Sequence, residues 1–225
     1  QCAGYMRMYH HRYLELLRDA CTKYDIHMIA DEIAVGFGRT GTMFGFEQAK
    51  ITPDIICLSK GITGGYMTLS TILTTNEIYE AFYDEYESLN AFLHSHSYTA
   101  NPIACSAANA TLELFKKENT LKNNKNLSLH MSKCFESLRD HPNVSDLRQK
   151  GMVLAVELIK NKKRKIPYDW RERRGIKAYL YGLKNSVLMR PLGNVIYFMP
   201  PYVISKKQIS FVSDIMKESI DEATK

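Results

Sequence analysis

Long hydrophobic runs are missing from this sequence. Its apolar stretches are strand-sized, far short of the roughly 20 residues a helix needs to span a bilayer, so no membrane role is expected. No charged segment followed by an apolar one marks a secretory leader, and Gln1-Cys2-Ala3-Gly4 reads as interior sequence without an initiator methionine. The five cysteines (Cys2, Cys21, Cys57, Cys105, Cys134) form no CxxC pair and have no histidine at zinc-site spacing. That pattern predicts reduced thiols in a cytosolic protein. Repeats and low-complexity segments are absent too. So is the G-x-x-x-x-G-K-[ST] loop that a Walker-type reading of the apolar run ending in Asp31-Glu32 would need, since the glycines at 36, 38 and 41 lack the lysine.

What remains is ordinary globular material. The 225 residues, 45% hydrophobic and 24% charged, suffice for one large domain or two small ones with real cores. The net charge of +6 is modest and spread out. Its densest cluster, Lys160, Lys162, Lys163, Arg164 and Lys165, lacks interleaved aromatics and reads as a solvated loop, so no nucleic-acid partner is expected.

Tyr13, Leu14, Leu17, Cys21 and Tyr24 recur at helical spacing and predict an amphipathic helix. Two short apolar runs, residues 26–30 and 55–58, have the texture of parallel strands buried on both faces. Residues 67–74 alternate as a third strand, residues 76–86 look helical, and Asn101-Pro102 opens an alanine-rich helix. The polar stretch 116–126 is the best internal boundary. Beyond it we expect a helix to about Leu138, strands at 153–159, 187–190 and 195–198, and a final helix capped by Ser205. The expected class is α/β, a partial large domain (residues 1–120) with a mostly parallel sheet, followed by a small α+β domain (residues 121–225).

Ligands bind beyond the carboxyl ends of strands in open α/β sheets. Asp31 follows the first apolar run and Lys60 the second. Taken singly, each fits a solvated loop. Together they suit pyridoxal phosphate, which needs an amine to form a Schiff base and a carboxylate facing its ring nitrogen. The carboxylate favours the protonated ring, an electron sink, and a lysine is suited to moving the proton.

The segment Met28-Ile-Ala-Asp-Glu-Ile-Ala-Val-Gly-Phe-Gly-Arg-Thr-Gly41 resembles the cofactor-aspartate segment of class III aminotransferases, and Asp54-Ile-Ile-Cys-Leu-Ser-Lys-Gly61 resembles their lysine segment. Three further stretches are similar to the members that move an amino group from S-adenosylmethionine to 8-amino-7-oxononanoate in biotin synthesis. They are Thr63-Gly-Gly-Tyr-Met-Thr-Leu-Ser70, His94-Ser-His-Ser-Tyr-Thr-Ala-Asn-Pro102 and Met189-Arg-Pro-Leu-Gly-Asn-Val-Ile-Tyr-Phe-Met-Pro-Pro-Tyr202. Ala34 fits this narrower match, many other members carrying glutamine there. The resemblance covers essentially the whole chain but only the second half of the family's length.

By that resemblance the chain has the large-plus-small domain arrangement of fold-type I pyridoxal-phosphate enzymes. Lys60 holds the cofactor and shuttles the proton, Asp31 pairs with the ring nitrogen, and Ile33 packs on the ring face. Ser97, with His96 beside it, reaches the cofactor phosphate of the neighbouring subunit of a homodimer. Ser95 approaches the substrate, and Arg190 clamps its carboxylate. Three departures weaken the phosphate assignment: Ser97 where threonine is usual, Ala100 where glycine is usual, and Ser95-His96 where Gly-Pro is commoner. His94-x-His96 has a metal-like spacing but no third ligand nearby, so no metal is expected. Arg190 on spacing alone reads as a surface salt-bridge partner. Two rivals stay open: a class III aminotransferase with an ordinary amino donor, and a non-catalytic fragment lacking the first half. The fragment by itself is expected to be inactive.

Overall fold

Asn101 and Pro102 start their helix for a reason visible in the computed structural model, which describes residues 1–225. The Asn101 side chain accepts hydrogen bonds from the backbone N–H groups of Ile103 and Ala104, and proline occupies the first turn, where its missing N–H costs nothing. Contacts divide the chain into two units. One comprises Tyr9–Gly38 and Thr42–Thr120; the other comprises Gln1–Met8, Arg39–Gly41 and Leu121–Lys225.

The first unit begins with α1 (Arg12–Lys23), on which only Cys21 is buried. A three-stranded sheet follows in the order β1 (Ile29–Asp31), β2 (Ile55–Leu58), β3 (Thr71–Thr74). β1 and β2 are parallel, with Asp31 opposite Cys57, and β3 is antiparallel to β2. Asp54 ties α1 to the sheet, its Oδ2 accepting from Met28 N at 2.6 Å and from the Arg18 guanidinium at 2.7 Å. After a short α2 (Asn76–Glu80), α3 (Pro102–Lys117) sets Ala104 and Ala108 inward. The core gathers Phe37, Leu58, Ile62 and Ala108, with Phe44 and Phe115 beside them.

Several expectations need correction here. β1 starts three residues later than residue 26, because the backbone there still closes the end of α1, with Ile26 N bonded to Cys21 O. β3 is four residues rather than eight, since Ser59 Oγ donates to Leu69 O and Thr63 Oγ1 to Met67 O, which holds the preceding residues in a loop. The helix expected over 76–86 stops at Glu80. Burial of the first strand on both faces is also overturned: Ile26 and Ile29 are 58% and 60% exposed, and Ile72 on β3 is 63% exposed. Nothing within the chain covers these side chains. Residues 79–98 likewise leave Tyr83, Tyr86, Leu89, Phe92, Leu93 and Tyr98 exposed.

The second unit carries an antiparallel sheet in the order β4 (Val144–Lys150), β5 (Val153–Leu158), β7 (Val195–Phe198), β6 (Arg190–Leu192). Alternation sorts β5 between two covers. Leu154, Val156 and Leu158 face a core shared with α4 (Thr120–Phe135), α5 (Arg174–Lys184) and α6 (Lys206–Thr224), including Met131, Phe135, Ile209, Met216 and Ile220. Val153 and Ala155 face the other way, against Met6 of the N-terminal segment and Val195. Arg148 secures that segment, donating to Met6 O at 2.8 Å and Tyr5 O at 2.6 Å while paired with Asp146 and Glu157. Ser205 caps α6 in a capping box with Gln208. The strand expected at 187–190 begins only at Arg190, since Val187 N still bonds Gly182 O to close α5.

Candidate active site

The parallel register brings two candidate residues to one edge. Asp31 lies opposite Cys57, so β1 ends on Asp31 beside the strand that runs through Leu58 and Ser59 to Lys60. Both side chains are exposed. Asp31 Oδ1 accepts the Ile33 N–H at 3.0 Å, an Asx turn that fixes the carboxylate and leaves Oδ2 without a partner. Lys60 opens a 3₁₀ turn, Lys60–Thr63, with φ at 44°. The left-handed region is unfavourable for a lysine and persists only where its surroundings impose it. The next residue supplies part of that constraint. A Cβ on Gly61 would lie 3.0 Å from the Phe37 ring, a contact tight enough that the ring would have to shift. No hydrogen bond or ion pair engages the Lys60 amine.

The loop leaving Asp31 is held by a residue that the sequence presents only as the end of a strand. Glu32 is 4% exposed, and its carboxylate accepts from Gly45 N at 2.9 Å and Phe46 N at 3.1 Å. Burial raises its pKa, with the two backbone donors partly offsetting the cost. Phe37, 3% exposed and packed on Gly61, is the other supporting residue missed from sequence. A carboxylate followed by a glycine-rich loop and a second turn was the available signal.

Ser95, His96 and Ser97 lie on an exposed segment with local bonds only. His96 N bonds Thr99 Oγ1 at 3.1 Å, and His96 Nδ1 accepts from Tyr98 N at 3.1 Å. The structure does not bring them to Asp31, Ile33 or Lys60. The segment forms no strand, so His94 and His96 do not share a strand face. Arg190, in the other unit, stands at the start of β6 with its guanidinium 5.9 Å from the Tyr197 ring centroid. Within this chain no carboxylate pairs with it.

A lysine amine without an ion partner and an oriented carboxylate with one open oxygen, on neighbouring strand ends, fit a cationic aromatic ring bound covalently through an aldehyde. The same ends carry no cluster of metal-binding side chains.

Comparison with known proteins places this arrangement. The sequence model for "Aminotransferase class-III" matches residues 1–220. The adenosylmethionine-8-amino-7-oxononanoate aminotransferase of Helicobacter pylori is 47% identical over all of this chain and 51% of its own length, and that of Geobacter sulfurreducens is 43% identical over all of this chain and 49% of its own. Among solved structures, the same enzyme from Methanocaldococcus jannaschii superposes with a TM-score of 0.89 at 41% identity, covering 93% of this chain and 49% of that one. An omega transaminase from Pseudomonas jessenii in complex with PMP gives 0.89 at 29% identity, covering 94% and 47%. The chain thus spans about half the length of the curated relatives it matches. With the matched region running almost from end to end, this chain belongs to the class III aminotransferase family.

Proposed function

We propose that this chain is the lysine-bearing part of a pyridoxal-phosphate-dependent aminotransferase that moves an amino group from S-adenosylmethionine to 8-amino-7-oxononanoate, giving 7,8-diaminononanoate in biotin synthesis. The observation that carries the chemistry is the parallel pairing of β1 with β2, which sets Asp31 and Lys60 on adjacent strand ends. The choice of substrates rests on relatives of that name at 43–47% identity over the whole chain.

When bound, the cofactor supplies an electron sink for the charge left as the substrate's α-proton departs. Asp31 keeps the ring nitrogen protonated, because an opposite charge at contact distance favours the cation. Ile33, whose backbone N–H is held in the Asx turn, would pack on the ring face. Lys60 would hold the cofactor through its amine and would serve as the base that moves the proton at the substrate's α-carbon. Arg190 offers a planar fork of donors to the substrate carboxylate, and no carboxylate of this chain pairs with it. Ser95, His96 and Ser97 act across a homodimer: Ser97, with His96, on the neighbouring copy's cofactor phosphate, and Ser95 near the substrate. The exposed aromatic residues between Tyr79 and Tyr98 suit burial in such an interface. A cytoplasmic location accords with five free cysteines, and no helix is long and apolar enough to cross a membrane.

The test is borohydride reduction of the protein with pyridoxal 5′-phosphate, followed by peptide mass mapping. The dominant adduct is expected on Lys60; a dominant adduct on another lysine overturns the assignment. Amino-donor choice is tested in protein of full family length. Ready transamination of ornithine or 4-aminobutyrate, with S-adenosylmethionine ignored, replaces the narrower reading by the broader one.

A further inference from the structure

Glu32 is a buried charge that the chemistry above does not use. It stands between Asp31 and Ile33, and its main chain and side chain grip one loop at both ends. Its backbone N–H donates to Cys57 O at 3.0 Å, which extends the β1–β2 pairing by one residue. Its carbonyl accepts from Gly36 N at 2.9 Å and shapes the outgoing turn. A Cβ on Gly36 would lie 2.8 Å from that carbonyl, so the turn requires glycine. The carboxylate takes the N–H groups of Gly45 and Phe46, one on each oxygen, where the chain returns. Within this closure, Gly38 N bonds Met43 O at 3.2 Å, and the Phe37 and Phe44 rings meet edge to face with centroids 5.7 Å apart. Phe37 then presses on Gly61, the residue after Lys60.

A buried carboxylate is costly unless fully hydrogen-bonded. A glutamine or an apolar side chain would close an ordinary loop at lower cost. Two charge-assisted bonds aimed at one return point give something a neutral residue does not, a stiff closure. We infer that Glu32 is a positioning residue: its carboxylate latches the loop after Asp31 so that Phe37, bearing on Gly61, holds Lys60 in its left-handed conformation beside the aspartate. Glu32 acts through Phe37 and Gly61 and touches no reacting atom. The inference rests on Lys60 being the cofactor-bearing residue, and the test separates the two.

Amide hydrogen exchange is followed in the full 225-residue chain and in its Glu32→Ala and Glu32→Gln variants. Labelling by pyridoxal 5′-phosphate with borohydride, mapped by peptide mass across pH, is measured in parallel. Glu32→Ala should speed exchange at Gly45, Phe46 and Ile62 by at least about tenfold, the usual scale for losing a hydrogen bond to a charged acceptor. Exchange in β5 and β7 should not change, which shows that the rest of the fold survives. Labelling of Lys60 should fall severalfold relative to the other lysines, with its pH profile moved toward theirs. Glu32→Gln keeps one acceptor oxygen and the side-chain shape, so it should restore most of the Lys60 labelling and protect one of the two latch amides. If Glu32→Ala does not fold, the glutamine variant decides, through partial loss at Gly45 or Phe46 and at Ile62. Unchanged exchange at Gly45 and Phe46 overturns the latch. Faster exchange there with Ile62 and Lys60 labelling unchanged overturns its reach to the lysine. Failure of the unsubstituted chain to label at Lys60 overturns the cofactor reading, while exchange at Ile62 still decides the latch.

Discussion

Strands β1 and β5 are written in similar apolar letters, yet they end in opposite surroundings. In β5 every residue from Val153 to Val156 is buried, because three helices cover one face and the segment holding Met6 covers the other. In β1 the pattern is exposed, half-buried, exposed, and Ile29 keeps 60% of its surface. The same residue types therefore describe a finished core in one unit and an unfinished surface in the other. Relatives about twice as long supply the natural explanation: the second unit has its neighbours within this chain, and the first has strands suited to neighbours it does not contain. A sheet with open edges is prone to pair with other chains.

Hydrogen exchange on the chain by itself should show the contrast at its largest. Amides of β1 and β3 are expected to exchange on the order of a thousandfold faster than those of β5 and β7, a gap of ~4 kcal/mol in local opening. Equal protection in the two sheets would break the comparison. Truncation sharpens it further. Ile196→Ala, at a fully buried position of β7, should cost about 2–5 kcal/mol in denaturant unfolding, whereas Ile72→Ala on β3 should stay within about 0.5 kcal/mol. In protein of full family length, Asp31→Asn should lower turnover at least a hundredfold, roughly 3 kcal/mol of transition-state stabilisation, with little change in unfolding midpoint. Near-normal turnover would remove Asp31 from its role.

The smallest effect is in pH. Asp54 sits below the ordinary carboxylate range because the Met28 N–H and then Arg18 bond to its charged form. With the folded pKa depressed, its contribution is present above the unfolded value and is lost as pH falls through the folded one. The first unit should therefore lose stability on the acid side, read as earlier unfolding of α1 in an acid titration by circular dichroism. Asp54→Asn should flatten that slope without altering the second unit.

How far residues disclose structure differs by region for identifiable reasons. Asp31 and Lys60 were legible because each ends a short apolar run, and helix starts at Asn101 and Ser205 were legible because capping is local chemistry. β4 was not, since only Val144 and Leu147 turn inward and a register shift between Val144 and Asp146 interrupts the alternation. Helix α5 escaped because the residues it buries are Gly175, Ala178 and Gly182, small side chains that carry little apolar weight. The exposure of β1 was not legible in its own letters, for an apolar strand looks the same whether or not its neighbours are present; only the half-length resemblance pointed to it. Glu32 went unread as a support because its partners lie 13 and 14 residues away.

The clasp of Arg148 on the carbonyls of Tyr5 and Met6 has a consequence in time. It joins residues 142 and 143 positions apart, so one face of the second sheet waits for the far end of the chain. Closing so long a loop is entropically costly and slow compared with the local pairing of β4 and β5. On a ribosome the segment holding Met6 is made before the second sheet and stays unpartnered until that sheet has been synthesised. Until Met6 arrives, Val153, Ala155 and Val195 present an open apolar patch. Refolding should accordingly run in two stages, an early one that forms the helix-covered face and a later one, rate-limited by the return of the segment holding Met6, during which the chain is most prone to self-association.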